Sequence, residues 1–290
     1  MVNEITALAN ARAQFLALVA DIRPELHRYC ARLTGSVIEG EDIVQDTLAK
    51  AFYALSLSTD VPPLRPWLFR IAHNAAIDFL RSHGHKMTEP SAELDTIASE
   101  DHAADPAIVR LAISRFASLS LAERSAVILK DVLGHSLSEI AETMSTTVLA
   151  VKAALVRGRA KLREAAAAPA QPPDETQRAR LERYAALFNA RDWDGVRALI
   201  GDDCRLDLVT KTQRRGKAVG MYFERYELRT VRVALARLEG RLVLAAFEHG
   251  AGRPSYFILV DWRDGQVESI RDFRFVPYIA ADAELELAEP

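Results

Sequence analysis

Apolar residues recur at helical spacing through the first half of the chain and at strand spacing through its last third. Phe15, Leu16, Val19, Ile22, Leu26, Tyr29 and Leu33 predict a helix over 10–33. Ile43, Val44, Leu48, Ala51, Phe52 and Leu55 predict a second over 41–57. Pro62, Pro63 and Pro66 close that element and preset the next, because proline suits a first helical turn and not an interior. WLFRIAHNAAIDFLR (67–81) then reads as a helix. Residues 87–106 hold Pro90 and Pro106 with little apolar period and read as a linker, and three helical patterns follow over 107–168. AAAAPAQPPDE (165–175) is a second linker stiffened by proline.

Beyond Pro173 the period changes. Helical patterns at 178–190 and 193–200 precede strand-like runs at 204–209, 231–239, 241–249, 254–262 and 266–276. Gly240 and Asp264-Gly265 mark the turns, the latter a strong hairpin signal. Helices first and strands afterwards predict an α+β unit with an antiparallel sheet, appended to an all-α half.

With 290 residues, 49% hydrophobic and 27% charged, the chain is expected to fold as two compact globular units or three small ones. Cys30 and Cys204 are far apart and outside any Cys/His cluster, so neither a disulfide nor a metal site is expected. The N-terminal stretch lacks a basic start followed by an apolar core, and no apolar run reaches the length of a membrane span, which predicts a cytoplasmic protein with no membrane partner.

The net charge of −3 taken as a total disfavours a nucleic-acid partner, but it is unevenly distributed. Residues 1–60 balance at −3, residues 61–86 at +3, residues 87–106 at −6, residues 107–168 at +4 and residues 169–290 at −1. The two basic blocks are the informative ones. SLSEIAETM (136–144), a short turn STT (145–147) and VLAVKAALVRGRAKLRE (148–164) form a helix, a turn and a second helix, the arrangement that sets one helix into the DNA major groove. Thr147–Arg163 carries five bases and no acid, suited to phosphate neutralisation. A solvated basic face on a plain helical hairpin would have the same composition.

The stretch 119–164 resembles region 4 of sigma-70 family RNA polymerase sigma factors of the short extracytoplasmic-function type. The resemblance rests on Leu119, Glu123-Arg124, Gly134, Glu139-Ile140-Ala141, Val151-Lys152, Leu155, Arg157 and Arg159. It implies a module that binds the upstream −35 promoter element and the flap of the polymerase β subunit, with Thr147, Lys152, Arg157, Arg159 and Lys161 as DNA contacts. Ala150, Ala153 and Ala154 depart from the family, which usually has Thr, Ser and Arg near the start of this helix, and alanine cannot donate to a base edge.

GEDIVQDTLAKAFYAL (40–55) resembles the region 2 helix that holds the coiled coil of the polymerase β′ subunit. Asp42, Gln45 and Asp46 share one helix face and are the implied contacts, although a solvated acidic stripe would look alike. PWLFRIAHNAAIDFLR (66–81) resembles the following segment, which meets the −10 element. It implies DNA contacts from Arg65, Trp67, Arg70, Asn74, Asp78 and Arg81. Opening a duplex needs cations for phosphates, polar groups for base edges and apolar faces for unstacked bases. Arg65, Arg70, Arg81 and Lys86 supply charge and Asn74 and Asp78 supply edge contacts, whereas the apolar neighbours of Trp67 and Phe69 place those two in the core. The six acids of the linker 87–106 either imitate nucleic-acid charge in the polymerase channel or serve as a solvated spacer.

YAALFNARDWDGVRALIGDDCRLDL (184–208) resembles the opening of SnoaL-like domains, which share the cone-shaped fold of ketosteroid isomerase. Such cones normally enclose a pocket, and Asp207, Tyr222, Tyr226, His249, Asp261 and Asp272 are its candidate polar groups. The expected layout is therefore region 2 over 10–86, an acidic linker over 87–106, region 4 over 107–165, a Pro/Ala linker over 166–175 and an α+β cone over 176–290. The expected function is that of a non-enzymatic sigma factor binding core polymerase and promoter DNA without a cofactor or metal, modulated by its own cone, which can hold a small ligand. Two alternatives stay open: a helix-turn-helix regulator that does not partner polymerase, and a pocket enzyme in the cone.

Overall fold

In the computed structural model the described residues are 2–58, 61–83, 105, 108, 111–164, 175–227, 229–248 and 250–288, and the chain divides into two compact units, Met1–Ala168 and Pro169–Pro290. Lys86, the acids Glu89, Glu93, Asp95, Glu100 and Asp101, most of the Pro/Ala linker and His249 lie outside the described residues.

The first unit is helical: α1 (Val2–Leu18), α2 (Arg23–Thr34), α3 (Val37–Ser56), α4 (Leu64–Ser82), a 3-10 turn (Ile113–Ser118), α5 (Leu121–Val127) running into a π-helical turn (Ile128–Val132), α6 (Leu137–Thr143) and α7 (Val148–Glu164). The single helix expected over 10–33 is two. Pro24 stands in the first turn of α2, where a preceding helical turn would clash with its ring and find no N–H to bond. Gly35 at φ 89° ends α2, and both it and Ser36 donate to the Ala31 carbonyl. The reversal brings α2 and α3 into backbone contact at Gly40, where a Cβ would stand 2.5 Å from the Ala31 nitrogen.

α6 starts on a reciprocal cap in which the Glu139 N–H donates to Ser136 Oγ (3.2 Å) and the Ser136 N–H to Glu139 Oε2 (2.7 Å). Thr147 caps α7 by accepting the Ala150 N–H at 3.2 Å. Helices α2 to α4 and α5 to α7, expected as separate modules, share one hydrophobic core that runs from Phe15 through Tyr29, Phe69 and Phe116 to Leu155 and Leu162.

The second unit begins with α8 (Glu175–Asn189) and α9 (Trp193–Ala198). It continues through β1 (Ile200–Leu208), β2 (Thr212–Arg215), a 3-10 turn (Gly216–Val219) and α10 (Gly220–Glu227). β3 (Val231–Leu238), β4 (Arg241–Glu248), β5 (Tyr256–Arg263), β6 (Gln266–Asp272), α11 (Tyr278–Asp282) and β7 (Leu285–Leu287) complete it. The sheet order is β2-β1-β6-β5-β4-β3-β7. The sheet is mixed rather than antiparallel throughout, because β1 pairs with β6 in parallel, Leu206 opposite Ile270. Asp264 (φ 51°) and Gly265 (φ 85°) make the left-handed two-residue turn expected between β5 and β6. β2 and α10 were not predicted, since TQRR has no alternation of polarity and GMYFERYE is flanked by no clear cap.

Candidate functional site

On α3, Asp42 and Asp46 are exposed, while Gln45 turns to donate to Glu41 Oε1 at 3.5 Å. Glu41 is fully buried beside Arg23, 2.5 Å away, so this carboxylate braces α3 against the start of α2. Asp46 pairs with Lys50 at 2.7 Å across one turn of the exposed surface. α4 lies beside α3, and between them runs a groove of about 390 Å³ lined by Asp42, Asp46, Lys50, Asp78 and Phe79. The fold thus joins Asp78, predicted for DNA, to the two aspartates predicted for a protein partner.

α4 has two faces. Leu68, Phe69, Ala72, His73 and Ala76 are buried, whereas Arg70, Asn74, Asp78 and Arg81 form an exposed polar stripe at spacings of four, four and three. Trp67 is half-buried against the core. Phe69 is fully buried, as its apolar neighbours predicted. Arg65 is already engaged: its Nη2 lies 2.7 Å from Glu25 Oε2 and 3.3 Å from His135 Nε2. Arg70 reaches to 4.0 Å from Glu142 of α6. Behind the stripe, the Tyr29 hydroxyl sits 2.7 Å from His73 Nδ1 and 3.4 Å from Ser125 Oγ, joining α2, α4 and α5. Burial pushes the His73 imidazole down to about 4.

An exposed aromatic that the sequence argument missed is Tyr53, 67% exposed, followed by Leu57 and Val61 on the segment leading into α4. Tyr53 falls outside the apolar face formed by Ile43, Val44, Leu48, Ala51 and Phe52 on the same helix. That misplacement was the available signal.

α7 departs most from expectation. Arg159, predicted to face DNA, points inward and is only 9% exposed. Its Nε and Nη2 donate to both oxygens of the buried Asp131 at 3.0 and 2.5 Å. Counting bases per segment could not show this, because only the helical phase separates Arg159 from its neighbours. Arg157 and Lys161 converge on Glu123, at 3.4 and 2.8 Å. Burial acts to raise the Glu123 carboxyl, but the Lys161 ammonium and the Ser120 N–H prevail and hold it below its ordinary range. Lys152 is half-buried, and Thr147 uses its hydroxyl as a cap. Of the three alanines, Ala154 is packed in the core, Ala153 is half-buried and Ala150 is exposed.

In the second unit Asp272 is fully buried and accepts the hydroxyls of Tyr222 (3.0 Å) and Tyr226 (2.8 Å) on Oδ2 and the Arg274 N–H (2.9 Å) on Oδ1. The Tyr256 hydroxyl lies 3.0 Å from that of Tyr226. Burial raises the Asp272 carboxyl, and the Arg274 guanidinium opposes the rise. Three of the predicted polar groups therefore converge, joined by Tyr256 and Arg274, which the sequence argument did not single out. Asp207 and Asp261 do not join them, pairing instead with Arg271 (3.5 Å) and Arg241 (3.4 Å) on the sheet surface. Among the described residues no group of three or more His, Cys, Asp or Glu side chains is arranged to hold a metal, and no helix is long and apolar enough to cross a membrane.

A helical unit with a polar-striped helix, an acidic neighbour and a capped helix-turn-helix is compatible with several DNA-binding classes, and the comparisons with known proteins identify it as sigma-type. Residues 18–86 match the family description Sigma-70 region 2, and residues 111–162 match Sigma-70, region 4. The ECF RNA polymerase sigma factor SigM of Mycobacterium tuberculosis is 30% identical over 157 residues, covering 53% of this chain and 78% of SigM. The chain belongs to the extracytoplasmic-function (ECF) sigma factors. SigG of the same organism is 33% identical over 214 residues, covering 63% of this chain, and the chain spans 58% of the length of SigG. The crystal structure of Mycobacterium tuberculosis SigJ is similar over 94% of this chain and 95% of its own, with 22% identity and a TM-score of 0.34.

Proposed function

We propose that the chain binds core RNA polymerase, recognises promoter DNA and promotes initiation of transcription in the cytoplasm. The observation that carries this reading is the disposition of α3 and α4. Asp42 and Asp46 offer exposed carboxylates to a basic partner helix, taken here as the β′ coiled coil, while Arg70, Asn74, Asp78 and Arg81 form one stripe toward the −10 strand. Tyr53 offers an aromatic face of the kind an unstacked base requires. Region 4 docks α7 upstream and meets the β flap, with Lys152, Arg157 and Lys161 as its phosphate partners, Thr147 as the cap that orients the first turn, and Arg159 removed from the DNA contacts.

In this reading the acidic linker 87–106 crosses the polymerase channel and the cone regulates. The Asp272 carboxylate is enclosed by tyrosine hydroxyls and an arginine of its own chain, which supports a structural or small-ligand role over catalysis. The test is co-purification with core polymerase followed by run-off transcription, using the full chain, the Asp42→Ala/Asp46→Ala variant and a chain lacking 169–290. Core binding that is lost in the double variant supports the reading, and failure of the unaltered chain to bind core overturns it. Promoter output unchanged by removal of 169–290 overturns the regulatory role.

A further inference from the structure

Resting on the proposal that region 4 docks α7 in the major groove, we infer that this helix reads its upstream element through the C5-methyl groups of thymine rather than through hydrogen bonds to purines. Helical phase decides which side of α7 faces outward. Val151, Ala154, Leu155, Gly158, Arg159 and Leu162 are buried, so the opposite side of α7 is led by Leu149, Ala153, Val156 and Ala160, with Ala150 beside them. Leu149 is 55% exposed and Val148 38%. A helix in the major groove presents its N-terminal residues to base edges. Here those residues are almost wholly apolar.

Most of the polar groups of α7 that would otherwise read bases are engaged within the protein. The Thr147 hydroxyl accepts the Ala150 N–H, and Arg159 is sealed against Asp131. Arg157 and Lys161 stand two and three turns further along, drawn to Glu123. Lys152 and Arg163 flank the apolar side, and Thr147–Arg163 holds no acid, so the surroundings still suit a polyanion. That charge argues for DNA over a protein occupant. So do the small side chains, which bury little area against a partner but let the helix axis approach the base edges closely. In the major groove only thymine presents a methyl group, and alanine and other apolar side chains are its natural contacts.

The test uses holoenzyme assembled from the full chain and core polymerase. Promoter fragments with a randomised upstream segment are selected for binding, and thymines in the selected segment are then replaced one at a time by deoxyuridine, which removes the methyl and nothing else. The expected result is enrichment of T·A pairs and a loss of about fourfold in affinity for each contacted methyl removed, the worth of one buried methyl-sized group. Ala153→Arg should move the preference at one position from T·A to G·C. A selected upstream element whose deoxyuridine forms bind equally well overturns the inference while leaving region 4 docking intact. Transcription that depends on the −10 element but shows no upstream preference overturns region 4 docking itself, and with it the inference. Leu149 or Ala153 variants that leave DNA binding untouched but release a bound protein overturn it in favour of a protein occupant.

Discussion

Replacing Arg159 with alanine separates a structural from a DNA-contacting role for this arginine of α7. The side chain is 10% exposed and that of Asp131 is fully buried, with two nitrogen–oxygen contacts at 2.5 and 3.0 Å. Asp131 also accepts the Asp105 N–H at 3.0 Å, tying the end of the linker to the same carboxylate. Removing the guanidinium leaves a carboxylate charge inside the fold with one backbone donor. Loss of one partner of a buried pair costs about 3–5 kcal/mol. In a unit of this size that corresponds to a fall of roughly 6–20 °C in the midpoint of thermal unfolding. Calorimetry of the full chain should show the helical unit melting earlier with the second unit unmoved, and Arg159→Met/Asp131→Leu should recover most of the loss, since an apolar pair of similar volume substitutes for a buried ion pair. An Arg159→Ala chain within about 0.5 kcal/mol of the parent, the scatter of an ordinary surface change, and defective only in upstream DNA binding would refute the argument.

Three further outcomes follow from the same geometry. His73 is held neutral, its folded value near 4 lying below the ordinary 6.5, so the unfolded chain takes up the proton first. Stability is therefore full above about pH 6.5 and declines as pH falls toward 4, by about 3 kcal/mol in all, and His73→Gln should flatten that part of a urea-unfolding series against pH. Gly40→Ala drives a methyl to within 2.5 Å of the Ala31 backbone and should destabilise the α2–α3 pair by about 1–3 kcal/mol or more, read from denaturant midpoints. Tyr226→Phe removes a 2.8 Å donor from the buried Asp272 and should cost the second unit about 1–3 kcal/mol, measured by its own thermal transition.

The helices were legible because their apolar faces carry the 3.6-residue period without interruption, as from Ile43 to Leu55, and because prolines mark some of their ends, as at Pro62, Pro63 and Pro66. What escaped lies in information a linear pattern does not hold. The parallel pairing of β1 with β6 is decided by which strands meet after folding, not by alternation within either. Pro24 was in plain view, yet the apolar period on both sides of it masked the break. At the sites, Arg70, Asn74, Asp78 and Arg81 of α4 were singled out through the family resemblance of 66–81, and their spacing of about whole helical turns is what sets them on one exposed stripe. The inward turn of Arg159 was not legible, because its partner Asp131 lies on another element and a cation count treats inward and outward charges alike. The tyrosines around Asp272 were found in part, and Tyr256 was missed because a strand buried on both faces shows no alternation to mark which side meets the carboxylate.

The pairing of β1 with β6 also sets an order of events during synthesis. Ile200 finds its partner Val267 only when nearly the whole second unit has been made, whereas every element of the first unit precedes residue 169. At the usual rates of translation the stretch from 169 to the end of β6 takes roughly 5–20 s to emerge. A newborn chain thus carries a finished helical unit for several seconds while β1 still has an open edge. That interval, with the helical unit folded and the second unit unfinished, should lengthen whenever ribosomes slow over the codons for 200–272.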